Sequence, residues 1–312
     1  MTPEIAIIGA GTIGSTVAYT LTTTYGCDVR LLDINGELAA GHTSDIEHAN
    51  AHVTHSIGAD ASSGSIQAVA PRRGAIGDAD CVVVTASIER PDTEGRRLTF
   101  LEGNRAVIDD IAEWMRSADP RPVVVVSNPV DRLTYRLWKR TDWPRERFVG
   151  YSLSETARLA ALVAEREGVR PEAVSIPVLG EHGEHMVPAF SRATIDGEPY
   201  RPPPTVQLDL LSATKEAPYD IIEQRGPEET SRWVSGRGVA LLTQSIVTGG
   251  CDEAVCLSTP LDGEYGESDV CLSVPVTLDS DGVAEIREWE LSDGERTNLT
   301  AAADSIRETL VL

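Results

Sequence analysis

Short apolar runs separated by longer amphipathic stretches organise the first half of the chain. Glu4-Ile-Ala-Ile-Ile8 leads directly into Gly9-Ala-Gly-Thr-Ile-Gly14, and Ser15 to Thr23 can continue as a helix. Val29-Arg-Leu-Leu-Asp33, Cys81-Val-Val-Val-Thr-Ala86 and Val123-Val-Val-Val-Ser127 repeat the form: brief, β-branched and bounded by polar sequence. Runs apolar on both faces that alternate with helices predict a parallel sheet covered on both sides, the doubly wound Rossmann-type α/β arrangement. Asn104 to Ser117 supplies one covering helix, with Val107, Ile108, Ile111, Trp114 and Met115 at helical spacing, which marks them as core.

After about Gly150 the pattern changes. A helix is predicted over Ser154 to Glu167, strands around Val174 to Leu179 and Phe190 to Ile195, and a turn at Pro202 to Pro204. A helical stretch from about Trp233 to Val247, a strand at Cys271 to Val276 and an amphipathic segment from Leu299 to Leu310 complete it. The expected organisation is a nucleotide-binding domain over residues 1–150 and an α+β domain over 151–312.

Composition narrows the function. The chain has 312 residues and a formal charge of −22, with 49 carboxylates spread along its length and only two lysines, Lys139 and Lys215, among 27 basic residues. Such a surface repels a phosphate backbone, so no nucleic-acid partner is expected. Scattered acid with arginine in place of lysine suggests a high-salt cytoplasm, where a Debye length of about 3 Å at molar salt screens the self-repulsion; an ordinary acidic protein is the alternative. No run approaches the roughly 20 apolar residues of a membrane span, and no secretory signal precedes the first strand, so a cytoplasmic location without membrane contact is expected. Five cysteines follow no zinc spacing, and no metal is expected.

Gly9-x-Gly11-x-x-Gly14 has the dinucleotide-binding spacing in the required context, after a strand and opening a helix. Gly9 permits the tight turn, Gly11 the approach of a pyrophosphate, and Gly14 close packing of helix on strand; Thr12 and Ile13, between the last two glycines, are expected at the cofactor with them. Asp33 stands nineteen residues beyond Gly14, at the end of the second strand, where a carboxylate accepts ribose hydroxyls and repels a 2′-phosphate. NAD is therefore expected rather than NADP.

Reducing a 2-keto acid requires a cation for the carboxylate, an acid for the carbonyl oxygen and a group that stabilises the charge developing there. Gly9–Gly14, Thr85-Ala-Ser-Ile-Glu-Arg90, Arg97 to Asn104, Ser127-Asn-Pro-Val-Asp131, Glu155-Thr-Ala-Arg158, Gly180-Glu-His-Gly-Glu-His-Met-Val-Pro188 and Trp233 to Ala240 offer all three. Over essentially the whole chain they resemble the lactate/malate dehydrogenase family, in the family's order, and with the acidic composition they resemble most its archaeal halophilic malate dehydrogenases. The resemblance implies His182 as proton donor and acceptor, Arg158 as the grip on the substrate carboxylate, Arg97 as the cation polarising the carbonyl, and Asn128 in contact with nicotinamide and substrate. It also implies Asn104 at the cofactor, Arg90 on the distal carboxylate of a dicarboxylate, and a homodimer or homotetramer. Glu155 stands where the family carries an aspartate paired to the histidine.

Several alternatives stay open in the residues themselves. His185 is a rival to His182 by chemistry alone, and Arg96 competes with Arg97, because the loop between Ala86 and Asn104 is one residue longer than the family's. Ser152-Leu-Ser-Glu155 has capping-box spacing, so Glu155 has a purely structural alternative. Ser231 or Thr230 borders the substrate if the family spacing holds there. The implied function is oxidation of (S)-malate to oxaloacetate with NAD; the alternatives are an L-lactate or other 2-hydroxyacid dehydrogenase, or a catalytically impaired NAD-binding sensor.

Overall fold

The computed structural model describes residues 2–54, 63–88, 96–226 and 230–310, and for residues 53, 54 and 96–99 the backbone alone. Its first half is built on six strands, β1 (Glu4–Ile8), β2 (Asp28–Leu32), β3 (Ile66–Val69), β4 (Cys81–Val84), β5 (Val123–Val125) and β6 (Phe148–Gly150). All pair in parallel in the order β3-β2-β1-β4-β5-β6. Helices α1 (Thr12–Thr24), α2 (Gly36–Asn50), α3 (Arg96–Met115) and α4 (Val130–Thr141) lie between them in the chain. The two-residue period of a strand explains why these runs are apolar throughout. Ile5 and Ile7 join Val17 and Leu21 of α1 in one core, while Ala6 and Ile8 join Ile108 and Ile111 of α3 in the core on the other side.

Beyond residue 150 come α5 (Leu153–Glu167), β7 (Val174–Ser175), β8 (Val178–Gly180), β9 (Met186–Pro188), β10 (Thr194–Ile195), β11 (Glu198–Pro199), α6 (Pro204–Arg225) and α7 (Arg232–Val247). The last elements are β12 (Cys251–Asp262), β13 (Ser268–Asp279), β14 (Gly282–Ile286) and α8 (Asp293–Glu308). The change of pattern is a change of pairing within one sheet: β12 adds antiparallel to β6 through Ser258 and Gly150, and β13, β8 and β9 follow. β7, β10 and β11 form a small separate antiparallel sheet.

Several elements depart from the sequence expectation for identifiable reasons. α3 begins at Arg96, eight residues before Asn104. Phe190 to Arg192 is a 3₁₀ turn, leaving only Thr194–Ile195 extended. α6 was hidden by Pro218 in its interior, and β12 by Asp252 and Glu253 at its start and Pro260 within it. α8 starts ahead of Leu299, at a capping box in which Ser292 Oγ accepts the Glu295 N–H and the Glu295 carboxylate accepts the Ser292 N–H. No helix among the described residues is long and apolar enough to cross a membrane.

Candidate active site

Strand order reverses between β1 and β4, and the crevice at their carboxyl ends is the switch point at which such sheets bind ligands. Gly9 takes φ +110° there, and a Cβ on it would lie 2.5 Å from the Ala86 nitrogen, so the turn after β1 excludes any larger residue. A Cβ on Gly14 would come within 1.9 Å of the Gly9 carbonyl, the closeness with which α1 enters the sheet. Thr85 Oγ1 donates to that same carbonyl at 2.9 Å and closes the turn against β4. Gly11 differs, since a Cβ there would meet nothing within 4 Å and would project into the open cradle.

No side chain caps the N-terminus of α1, so its first-turn N–H groups, including those of Thr12 and Ile13, face outward with the helix dipole behind them. Asp33 is held at the end of β2 by the N–H groups of Ala10 (2.6 Å to Oδ2) and Asn35 (2.8 Å to Oδ1). About four acceptor positions exist on a carboxylate, so two remain for ribose hydroxyls. These features fit a pyrophosphate over Gly11 and an adenosine ribose at Asp33.

The second cluster forms where the turn after β8 meets the start of α5. Gly180 ends β8 at φ +89°, and a Cβ on it would lie 2.6 Å from the His185 carbonyl, so a tight turn carries His182 inward. Nδ1 of His182 lies 2.8 Å from Oε2 of Glu155, both side chains being nearly buried. The oxygen stands off the line of the ring N–H, which makes the contact chiefly one of charge. Arg158, one turn further along α5, places Nη1 at 3.7 Å from Glu155 Oε1, and its buried Nε has no hydrogen-bond partner among the described residues. His185 is exposed and distinguishes itself from His182 on that ground.

The capping alternative for Glu155 does not form. Ser152 Oγ donates to the Cys256 carbonyl at 3.2 Å and lies 3.0 Å from Ser273 Oγ, leaving α5 without a side-chain cap. Burial by itself would lower the His182 pKa, but the charge of Glu155 outweighs it, helped by Asp131, and the imidazole is held above its ordinary value. Glu155 responds in the opposite sense: burial favours its neutral form, yet His182 and Arg158 keep the carboxyl below the usual range.

Asn128 follows β5 at the carboxyl edge of the sheet with its side chain exposed, before a cis bond to Pro129. Asn104, expected at the cofactor, is fully buried. Its Nδ2 donates to the Asn128 carbonyl at 2.8 Å and its Oδ1 accepts the Ile88 N–H at 2.8 Å. Both ends of the amide are engaged within the protein, so Asn104 holds the loop and the Asn128 main chain together at the crevice. The Arg97 backbone lies in the first turn of α3 and its side chain is outside the described residues; Arg90 is wholly outside them. Ser231 is the buried N-cap of α7 and Thr230 precedes it.

Residues 3–150 match the lactate/malate dehydrogenase NAD-binding domain, and residues 155–311 match the lactate/malate dehydrogenase α/β C-terminal domain. The chain belongs to the lactate/malate dehydrogenase family. It is 32% identical over 311 residues to a malate dehydrogenase of Pyrobaculum islandicum, covering 98% of this chain and 97% of that one. It is 30% identical over 318 residues to an L-lactate dehydrogenase of Bacillus velezensis, covering 98% and 96%. The structure of the malate dehydrogenase from Aeropyrum pernix superposes with a TM-score of 0.88 at 29% identity, covering 98% and 97%. Membership makes the protein an NAD-dependent 2-hydroxyacid dehydrogenase, and both branches of the family stand at similar distance.

Two groups beside His182 are not evident from the sequence. Asp131, at the start of α4 and fully buried, accepts the His182 backbone N–H at 2.9 Å and the Ser258 hydroxyl at 2.6 Å. Its neighbour Arg132 donates to Glu181 at 2.7 Å and to the Ser305 carbonyl at 3.2 Å, tying the His182 turn to α4 and α8. The available signal was Asp131 at the end of Asn128-Pro-Val-Asp131, but its partner lies fifty-one residues away in the chain.

Proposed function

We propose that the protein interconverts (S)-malate and oxaloacetate, with His182 as the proton carrier. The observation that carries the reading is the union of a buried, carboxylate-backed imidazole with a guanidinium that has donors to spare. Glu155 faces Nδ1 of His182, which leaves Nε2 as the nitrogen that exchanges a proton with the substrate hydroxyl or carbonyl oxygen. Arg158 presents its remaining N–H donors to the substrate carboxylate, a geometry suited to a bidentate pair. NAD, when bound over Gly9, Gly11 and Gly14 with its ribose at Asp33, supplies the hydride acceptor for C2. Arg97 polarises the carbonyl from the start of α3, and Asn128 borders nicotinamide and substrate from the sheet edge.

Arg90 in the segment before α3 favours malate over lactate, as a second cation for a second carboxylate. The charge of −22 supports a protein adapted to a high-salt cytoplasm. A homodimer or homotetramer is supported by Tyr19 on α1 and Trp233 and Leu241 on α7, large apolar side chains left exposed on two helices packed together.

Initial rates with oxaloacetate and with pyruvate, measured in molar KCl, test the reading. Oxaloacetate is expected to be the better substrate, and Arg90→Gln to erase the preference. Arg158→Ala is expected to remove reduction of either acid by about 10²-fold or more while NADH still binds. Pyruvate preferred by the parent protein would make it a lactate dehydrogenase; NADH binding with no turnover of any 2-keto acid would leave an NAD-binding sensor.

A further inference from the structure

We propose that Asp131 is a positioning residue for His182, its buried carboxylate fixing the main chain of the histidine turn and setting a second negative charge behind the imidazole. The inference rests on His182 being the proton carrier. Asp131 is 0% exposed and both of its oxygens are engaged. Oδ2 takes the backbone N–H of His182, and Oδ1 takes the hydroxyl of Ser258 on β12. Three elements thus meet at one carboxyl group: the start of α4, the turn after β8, and the strand that joins the two halves of the sheet. Packing leaves no slack there, since a Cβ on Gly150 would stand 2.7 Å from Thr134 Oγ1 and 2.9 Å from Ser258 Cβ.

A buried carboxylate is costly unless its charge is used. An asparagine could also make two hydrogen bonds here, its oxygen accepting the His182 N–H and its nitrogen donating to a reversed Ser258 hydroxyl, and it costs less to bury. The retention of charge is what the proposal explains. His182 is faced by Glu155 and Arg158 from α5, by Asp131 from α4 and by Glu181 in its own turn, with Arg132 on Glu181. The Cys271 thiol of β13 faces Asp131 and stays protonated, being buried with a pKa raised well above the thiol range. Against the cation of Arg158, the imidazolium therefore has two near carboxylates. Burial pushes the Asp131 carboxyl up to about 6, despite the Ser258 hydroxyl and the positive charge of His182, so it is ionised near neutrality and loses that support in acid.

Asp131→Asn keeps the shape: the amide oxygen accepts the His182 N–H and the amide nitrogen donates to Ser258. The expected result is a His182 titration, followed by NMR of its ring protons and assigned by their absence in His182→Gln, that moves to lower pH. The kcat of keto-acid reduction should fall about tenfold, short of the 10²–10⁴-fold attached to loss of the acid itself, with KM for the keto acid and NADH affinity little changed. Ser258→Ala, which removes one donor and retains the charge, should shift the same titration by less, and it serves if the asparagine variant does not fold. A His182 titration and a pH–rate profile that superpose on the parent's in both variants, with only thermal stability altered, would reduce Asp131 to a structural strut. Full activity in His182→Gln would instead overturn the reading on which the proposal stands.

Discussion

At the residue scale, the informative position is Glu155. Its side chain is one methylene longer than aspartate, and its carboxylate reaches His182 at 2.8 Å and Arg158 at 3.7 Å. The sign of its effect follows from the opposing contributions at His182, where burial lowers the pKa and the glutamate charge raises it. Keto-acid reduction consumes the proton on His182, so its rate is full below that group's pKa and is lost as pH rises through it. Glu155→Gln removes the charge and leaves burial dominant. The basic limb of the kcat profile should therefore move to lower pH, with a loss of about 10²-fold at pH 8; an unmoved limb in the glutamine variant would show that Glu155 does not act through the imidazole. The same linkage applies to folding. A raised His182 pKa contributes stability below the pKa of the unfolded chain, and that contribution disappears as pH rises through the folded value. Much of this cluster was legible in advance, because Glu155 and Arg158 are three apart on one helix and His182 sits between glycines after a strand. Asp131 and the burial of Asn104 were not, because each depends on partners brought from distant segments.

At the element scale, the strand–turn–helix of β1 and α1 was readable because its glycines act locally, through φ and through contacts with the next strand. α6 and β12 were unreadable for the converse reason: a proline within a 22-residue helix and charges at the head of a buried strand are tolerated only because neighbouring elements cover the rest. The three glycines of the turn also predict different failures. Gly9→Ala and Gly14→Ala force backbone contacts at 2.5 Å and 1.9 Å, so they should lower thermal stability together with NADH affinity. Gly11→Ala meets no protein atom within 4 Å, so its fold and melting temperature should match the parent's. Its NADH dissociation constant should nonetheless rise about tenfold or more, because the added methyl occupies the cradle that a pyrophosphate needs. Calorimetric titration of the variant with NADH measures this, and unchanged affinity would remove the pyrophosphate from Gly11.

At the scale of the whole molecule, a net charge of −22 sets attraction against repulsion. Exposed ion pairs such as Arg170–Glu172 and Arg73–Glu113 are each worth about 0–1 kcal/mol and weaken with salt. Repulsion among the surplus carboxylates acts over many more pairs, and the Debye length of about 10 Å at 0.1 M lets it reach across neighbouring helices, whereas about 3 Å at 1 M confines it to contact distance. Unfolding relieves repulsion by spreading the charge, so screening favours the folded chain. The melting temperature should accordingly rise between 0.1 M and 2 M KCl. Preferential exclusion of salt from apolar surface would give the same trend, so the cause is separated by mutation. Asp45→Asn, Glu47→Gln, Asp252→Asn and Glu253→Gln together neutralise four exposed carboxylates. If self-repulsion is responsible, this variant melts higher than the parent at 0.1 M KCl and the difference narrows by 2 M. If exclusion is responsible, the two curves stay parallel across the whole range.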